Sequence, residues 1–383
     1  MNATSDPWDA LIGQYQLHPG AAHSIVGQRP VLAAGRLAAL LRGQRGEQVG
    51  RTLSSVFTLC AHAHRRAAQM ALAAAQGGGP EAFPTDAPVL LWLETARDHL
   101  RSIALDWPQR LPGVGLDAHG LDWLRDCPLQ LGTVRPAPDA MIAGQTLASL
   151  RHWLEQRVLD DDAQVWLARC RAPDALAAWC TAQAERWSPA RRLAAWQPLA
   201  QKLTPATRCL DLLDDDLTQQ SANMQELAQT LAADPDFVQR PTWRGQCAET
   251  GAWSRLRHRQ GQSQTLHNAW TRLSARWLEL VEIAVADPLG GNQSTAPLLA
   301  IGSLGLGQGR ALAWCEMARG LLLHWVDLDA DGAVQDYCVL APTEWNFHPQ
   351  GALAHTLAAL EPGDTQAART LAAAFDPCVA CTV

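Results

Sequence analysis

The sequence predicts an α+β protein, mainly α with a small β component, on three observations. Ala and Leu are abundant, whereas the 383 residues include only 5 Phe and 2 Tyr, a bias toward helix formers. Long stretches repeat apolar residues at helical spacing. One late stretch instead breaks into short apolar runs between glycine-rich turns.

Taken in order, residues 30–76 read as helix. "VLAAGRLAALLRG" carries its Leu on one face, and "TLSSVFTLCAHAHRRAAQMALAAAQ" stays apolar at helical spacing until "GGGP" (77–80) stops it. A second helix covers 87–107 and ends at Pro108. Residues 110–145, rich in Pro and Gly, read as loop. From about 146 to 286 the chain is Trp-, Ala- and Leu-rich helix, broken at "SPA", "TPA" and "RPTWRG". The 16 Trp are expected to fill helix–helix contacts in place of the missing Phe and Tyr. Acidic clusters at 160–162 and 214–216 read as solvated helix ends or turns. After "DPLGGNQSTAP" (287–297) the texture changes, and the glycine-punctuated stretch to Phe347 reads as a small sheet of hairpins. A last helix, 351–373, leads to the end of the chain.

The net charge of −7 and pI near 5.9 argue against a nucleic-acid or anionic-membrane surface. No run reaches the ~18 apolar residues that would span a bilayer. "VLLWL" (89–93) and "GLLLHWV" (320–326) are core segments. "MNATSDPWDA" has neither the basic nor the apolar region of a signal peptide, so a cytoplasmic protein is expected, with its 10 Cys reduced. Eight of them read as small buried side chains.

Two motif-like stretches fail on inspection. "DLDADG" (327–332) opens like a calcium loop, but the Glu required at the twelfth position is Cys338; it reads as a hairpin with Asp331-Gly332 at its tip. "GLGQG" (305–309) lacks the following helix and acidic partner of a dinucleotide site and reads as a turn. In "CAHAH" (60–64), Cys60 and His64 share a helix face if 52–75 is helical, half of a metal site or a buried Cys beside a surface His. "CVAC" places Cys378 and Cys381 behind Asp376-Pro377 at the very end of the chain. The pair suits redox exchange, zinc or a cluster. A redox pair normally opens a helix, which two following residues cannot form, and a zinc site would need a second ligand pair, which Cys60 and His64 could supply.

The order and wording of these segments carry more. "FDPCVAC" resembles the D-P-C-x-x-C that closes the large subunit of nickel–iron hydrogenases. "EMARGLLLHW" (316–325) resembles that family's E-A-P-R-G segment, and "DYCVLAPTEWNF" (336–347) its strand ending in P-T-x-W-N. "DHLRSIALDWP" (98–108) resembles the helix after its first cysteine motif, and that motif, R-x-C-G-x-C-x-x-x-H, falls on "SVFTLCAHAH" (55–64). The resemblance covers about 30–108 and 300–383. It implies one hydrogenase large-subunit-like domain over 1–383: an N-terminal helical part (30–108), a divergent helical middle (130–290), and a C-terminal part (300–383) with hairpin sheet, last helix and Cys pair.

The departures shape the implied function. By the family pattern Cys60 and Cys381 match thiolates that bridge nickel and iron, and Cys378 a nickel-only ligand, while the other nickel-only Cys is replaced by Phe57. The family's proton-gating Glu would fall near Ala38, and the Arg of the first motif is Ser55. The chain also lacks the family's final C-x-x-H. Such a chain is similar to the hydrogenase accessory proteins of the HupK/HoxV type, which implies an assembly scaffold and no enzyme. Its cargo would be iron carrying carbon monoxide and cyanide, with no nickel expected, clamped by Cys60 and Cys381 and pinning the tail. Arg319 and Thr343 would face the cyanides, His64 would donate to a bridging sulfur, and Pro342 with Ala318 would wall the carbonyl. Cys378 would be a third ligand, a handover thiol or a relic. The implied partners are a hydrogenase large subunit precursor and the maturation proteins that build the iron unit. A zinc- or disulfide-based redox protein using the C-x-x-C is the alternative.

Overall fold

The computed structural model describes residues 12–33, 35–78, 87–111, 121–132, 139–172, 174–214, 216–234, 236–259, 267–286 and 298–383. Most of it is helical, with two small sheets, as the composition predicts. "DPLGGNQSTAP" lies outside the described residues, as do 112–120 and 133–138 of the stretch read as loop, whose last residues, from Ala140, are helical instead; the helix before "GGGP" ends at Ala75, with Gly77 at φ 83.

The first sheet joins the two ends of the chain. Strand β1 (Gln14–Leu17) buries Tyr15 and Leu17 and exposes the residues between them, the period-2 pattern of a one-sided strand. It pairs antiparallel with β2 (Ile25–Gln28) and parallel with β7 (Ala380–Thr382). The second sheet is the expected run of hairpins, a four-stranded antiparallel meander of β3 (Ile301–Gly307), β4 (Arg310–Met317), β5 (Gly320–Leu328) and β6 (Val334–Leu340). The turn read in "GLGQG" connects β3 to β4, with Gln308 and Gly309 at positive φ. Gly332 takes φ +77 at the β5–β6 tip, so the failed calcium motif is a hairpin.

The N-terminal helical stretch is more broken than its periodicity suggests. In place of one run over 30–76 there are α1 (Arg36–Leu41), α2 (Glu47–Val56) and α3 (Ala61–Ala75). The chain leaves the helix at Phe57 and re-enters after Cys60, which is the residue preceding α3 and not a mid-helix position. Glu94 explains the break. From α4 (Ala87–Arg101) it accepts hydrogen bonds from the His62 and Ala63 N–H groups at 2.7 and 2.9 Å, capping the newly opened helix N-terminus. Nor does the second helix end at Pro108. A π-helical turn over 102–106 feeds α5 (Trp107–Arg110), in which Pro108 occupies the first turn, where no backbone donor is needed.

The helical middle comprises α6 (Ala140–Leu154), α7 (Ala163–Cys170), α8 (Ala175–Gln183), α9 (Ser188–Lys202), α10 (Leu217–Ala233), α11 (Ala252–Arg259) and α12 (Ala269–Val285). The acidic clusters do end on helix starts: Asp162 caps α7 and Asp216 caps α10 through side-chain oxygens. Trp166, Trp179, Trp187 and Trp277 pack together in the core, the helix contacts expected of the tryptophans. After β6, "PTEWN" is not strand but the short helix α13 (Pro342–Asn346). The last helix is two, α14 (Ala352–Ala358) and α15 (Thr365–Phe375), interrupted by "EPGD", whose Asp364 caps the second. No helix among the described residues is long and apolar enough to cross a membrane.

Candidate functional site

Four elements converge where α15 ends. Asp376, which follows it, takes a left-handed conformation (φ 45), turning the chain sharply into Pro377 and Cys378. Its buried carboxylate holds that turn in place. It accepts from Arg110 Nη1 at 2.8 Å and from the Ser102 hydroxyl at 3.3 Å, and pairs with Arg276 and Arg319 at 3.0 and 3.2 Å. These guanidiniums hold the Asp376 carboxyl far below the usual carboxylate range in spite of its burial.

Arg319 is the residue the sequence picks out, and it is buried rather than a surface hairpin pair. It sits in the two-residue turn between β4 and β5, where Met317 pairs with Gly320. Gly320 has φ +134, and a Cβ there would come within 2.6 Å of Thr250, so the turn can lie against Thr250 only with glycine at this position. Thr250 in turn accepts the Leu321 N–H at 3.0 Å and exchanges two hydrogen bonds with the Asn346 amide at 3.0 and 2.8 Å. The same network therefore fixes the Arg319 turn and the helix bearing Thr343. The Arg319 side chain donates to Asp98 and to the Asp376 carbonyl.

Cys60 is buried between the helices α2 and α3. Burial pushes its thiol well up, the neighbouring Cys378 adds to this, and Arg319 opposes it. Cys378 is thus the thiol that Cys60 feels most. Thr343 Oγ1 lies 3.2 Å from the Cys378 sulfur, and Pro342 is buried in the first turn of the same helix. Cys381 lies on β7 opposite Tyr15, its thiol pushed up to about 11 by burial against the pull of Arg110. Backbone hydrogen bonds to β1 and the Asp376 cluster hold the tail in place.

A second buried guanidinium, missed in the sequence, reaches the thiols from the N-terminal side. Arg29 pairs with Glu344 at 3.4 Å, and Cys378 and Cys60 both act to keep it protonated against the cost of burial. Ala38, read as the vacated proton gate, instead lines a surface groove with Arg42, Asp327 and Asp336. His64 is buried and stacks on Phe57 with ring centroids 3.9 Å apart; its Nδ1 meets His324 Nε2 at 3.0 Å, and no hydrogen bond to the Cys60 sulfur is formed.

Asp98 and Asp376 lie inside the segments that carry the resemblance and could have been singled out there. Arg29, in "GQRP", stands in no pattern that marks it. Chemically the site offers thiols, hydroxyl and imidazole donors, and two buried cations. Among the described residues no three His, Cys, Asp or Glu side chains gather as a set able to hold a metal ion by themselves.

The comparisons agree with this picture. Residues 292–383 match the family model described as nickel-dependent hydrogenase. The chain is 39% identical to the hydrogenase expression/formation protein HoxV of Cupriavidus necator, over 98% of this chain and 96% of the relative. It is 30% identical to the hydrogenase expression/formation protein HupK of Azotobacter vinelandii, over 92% and 91%. In fold it is similar to the nickel–iron–selenium hydrogenase of D. vulgaris Hildenborough, with a TM-score of 0.58, 14% identity and 92% of each chain covered.

Proposed function

The chain belongs to the hydrogenase expression/formation family of HoxV and HupK, and on that premise we propose that it is a maturation scaffold, not an enzyme, that holds an iron–carbonyl–cyanide unit and delivers it to a hydrogenase large subunit. The observation that carries this reading is the gathering of the thiols beside two buried, carboxylate-paired guanidiniums. Arg29, paired with Glu344, and Arg319, paired with Asp98 and Asp376, are both buried beside Cys60 and Cys378. The pocket alone holds Cys60 and Cys381 as thiols, and a metal that takes them as thiolates, with anionic ligands of its own, would meet guanidinium donors already in place.

Low-spin iron(II) is a soft acceptor that thiolates suit, and a unit arriving with its own carbonyl and cyanides needs few protein ligands. Cys60 with Cys381 is the anchor pair, as the resemblance implies, and Cys378, nearest in effect to Cys60, is the handover thiol. Arg319 and Thr343 would hydrogen-bond the cyanide nitrogens, and Pro342 would shape the apolar wall at the carbonyl. An incomplete protein ligand set suits cargo that must leave again. The partners are the apo large subunit and the proteins that build the iron unit.

The test is infrared spectroscopy in the window of terminal carbonyl and cyanide stretches, on protein purified anaerobically from a host making the assembly machinery. One carbonyl band and a pair of cyanide bands, absent in Cys60→Ala, are expected. A blank spectrum from protein still associated with its assembly partners would discard the scaffold in favour of zinc or disulfide chemistry at Cys378 and Cys381.

A further inference from the structure

Behind His64 runs a buried chain of hydrogen bonds that the scaffold reading leaves unexplained. His64 Nδ1 lies 3.0 Å from His324 Nε2, and His324 Nδ1 lies 2.7 Å from the Tyr337 hydroxyl. His324 points from the middle of β5, and Tyr337 from β6 beside it. All three side chains are buried and make no other side-chain hydrogen bond among the described residues.

The chain can be protonated in two directions, and they are not equivalent. If the phenol donates to His324 Nδ1, then His324 Nε2–H donates to His64 Nδ1, and every inner group is satisfied. Only His64 Nε2–H is left without a protein acceptor. If the chain runs the other way, the phenol hydrogen is stranded in the core and His64 Nε2 becomes an unused acceptor, two open groups in place of one. The first direction is therefore the stable one. We propose that Tyr337 and His324 are positioning residues that lock His64 in its Nε2–H tautomer, as a neutral directed donor to the cargo held at Cys60.

Two further contacts fix the direction of that donor. The His64 N–H donates to the Cys60 carbonyl at 3.1 Å, so ring and thiol share the first turn of α3. Phe57 stacks on the imidazole within 8° of parallel and so holds the ring plane. Where the resemblance has a nickel ligand, this chain has a clamp on a hydrogen-bond donor. The acceptor is a lone-pair-bearing anionic group, the iron-bound thiolate or a cyanide nitrogen. This inference rests on the scaffold reading for its cargo, but the tautomer does not.

The experiment separates the two. Ring-nitrogen NMR on iron-free protein with labelled histidine, His64 being assigned from its loss in His64→Gln, should show the proton on Nε2. In Tyr337→Phe the direction should become mixed. A wild-type His64 protonated on Nδ1 overturns the proposal, even if the Tyr337 variant does not fold. In the infrared experiment, Tyr337→Phe should shift the cyanide bands while iron content stays that of the wild type; unshifted bands with an altered tautomer also overturn it. Absent wild-type bands would remove the cargo, and with it the donor's role, whatever the tautomer.

Discussion

Four tryptophans meet in the helical middle with ring centroids 4.6 to 6.3 Å apart, whereas at the turn after α15 three arginines meet two aspartates. Both sets are buried but for half-buried Arg110, and one helix serves both: adjacent on α12, Arg276 pairs with Asp376 while Trp277 joins the tryptophans. The tryptophan cluster is held by area and shape. The indole N–H groups of Trp166, Trp187 and Trp277 have no hydrogen-bond partner among the described residues, so these side chains act as hydrophobes with edge-to-face contacts. The charged cluster is costly to bury and survives by mutual compensation, with one positive charge in excess. A protein seeking stability alone would fill that turn with apolar side chains.

The comparison breaks first at Arg319. Arg319→Met leaves buried Asp98 without its ion pair, while Asp376 keeps Arg110 and Arg276, and should cost about 3–5 kcal/mol in denaturant unfolding, with loss of the carbonyl and cyanide bands. A cost under about 1 kcal/mol would mean that the cluster is not a compensated unit.

Glu94 comes next, as a buried carboxylate with only a partial partner. Burial pushes it from 4.5 to about 7, against the two backbone donors of α3. A folded pKa above the unfolded one means that the native state binds the extra proton. Its contribution is thus present at pH below about 4.5, is lost as pH rises to about 7, and is flat above. The stability difference between wild type and Glu94→Gln should therefore move by up to about 3 kcal/mol across that window, read from unfolding midpoints at several pH values. A pH-independent difference would show Glu94 ionised as in water.

Trp277→Phe sharpens the other side. It should cost about 1–2 kcal/mol through lost packing alone and leave any cyanide bands where they were. Smallest is Thr343→Val, which removes the hydroxyl 3.2 Å from Cys378: about 1 kcal/mol in stability, with a measurable shift of one cyanide band. An unshifted spectrum would leave Thr343 a merely structural group.

What the sequence shows and hides divides along the same line. The meander of β3 to β6 was legible because glycine turns and short apolar runs are local signals. The helix caps at Asp162 and Asp216 were legible as acidic clusters for the same reason. The break at 57–60 was not, because its cause, Glu94, is remote in the chain. The interruption of the last helix was written in Pro362-Gly363 but outweighed by the apolar period around it. Strands of three and four residues at the termini are too short for alternation to announce them. At the site, Cys60, Cys378, Cys381, Arg319 and Thr343 stood out through family resemblance. Arg29 and the His324–Tyr337 chain did not, because a charge or a relay belongs to the fold before it belongs to any motif.

The parallel pairing of β1 with β7 has a consequence in time. Tyr15 and Cys381 must meet before the pocket has its full set of thiols, so closure waits on a loop of more than 300 residues between β1 and β7. A nascent chain that has folded its helices but not yet supplied 376–381 presents Cys60 without either partner thiol. Cargo offered to such a chain finds half a clamp. On the scaffold reading, the pairing of β1 with β7 thus makes competence to load a late event in folding.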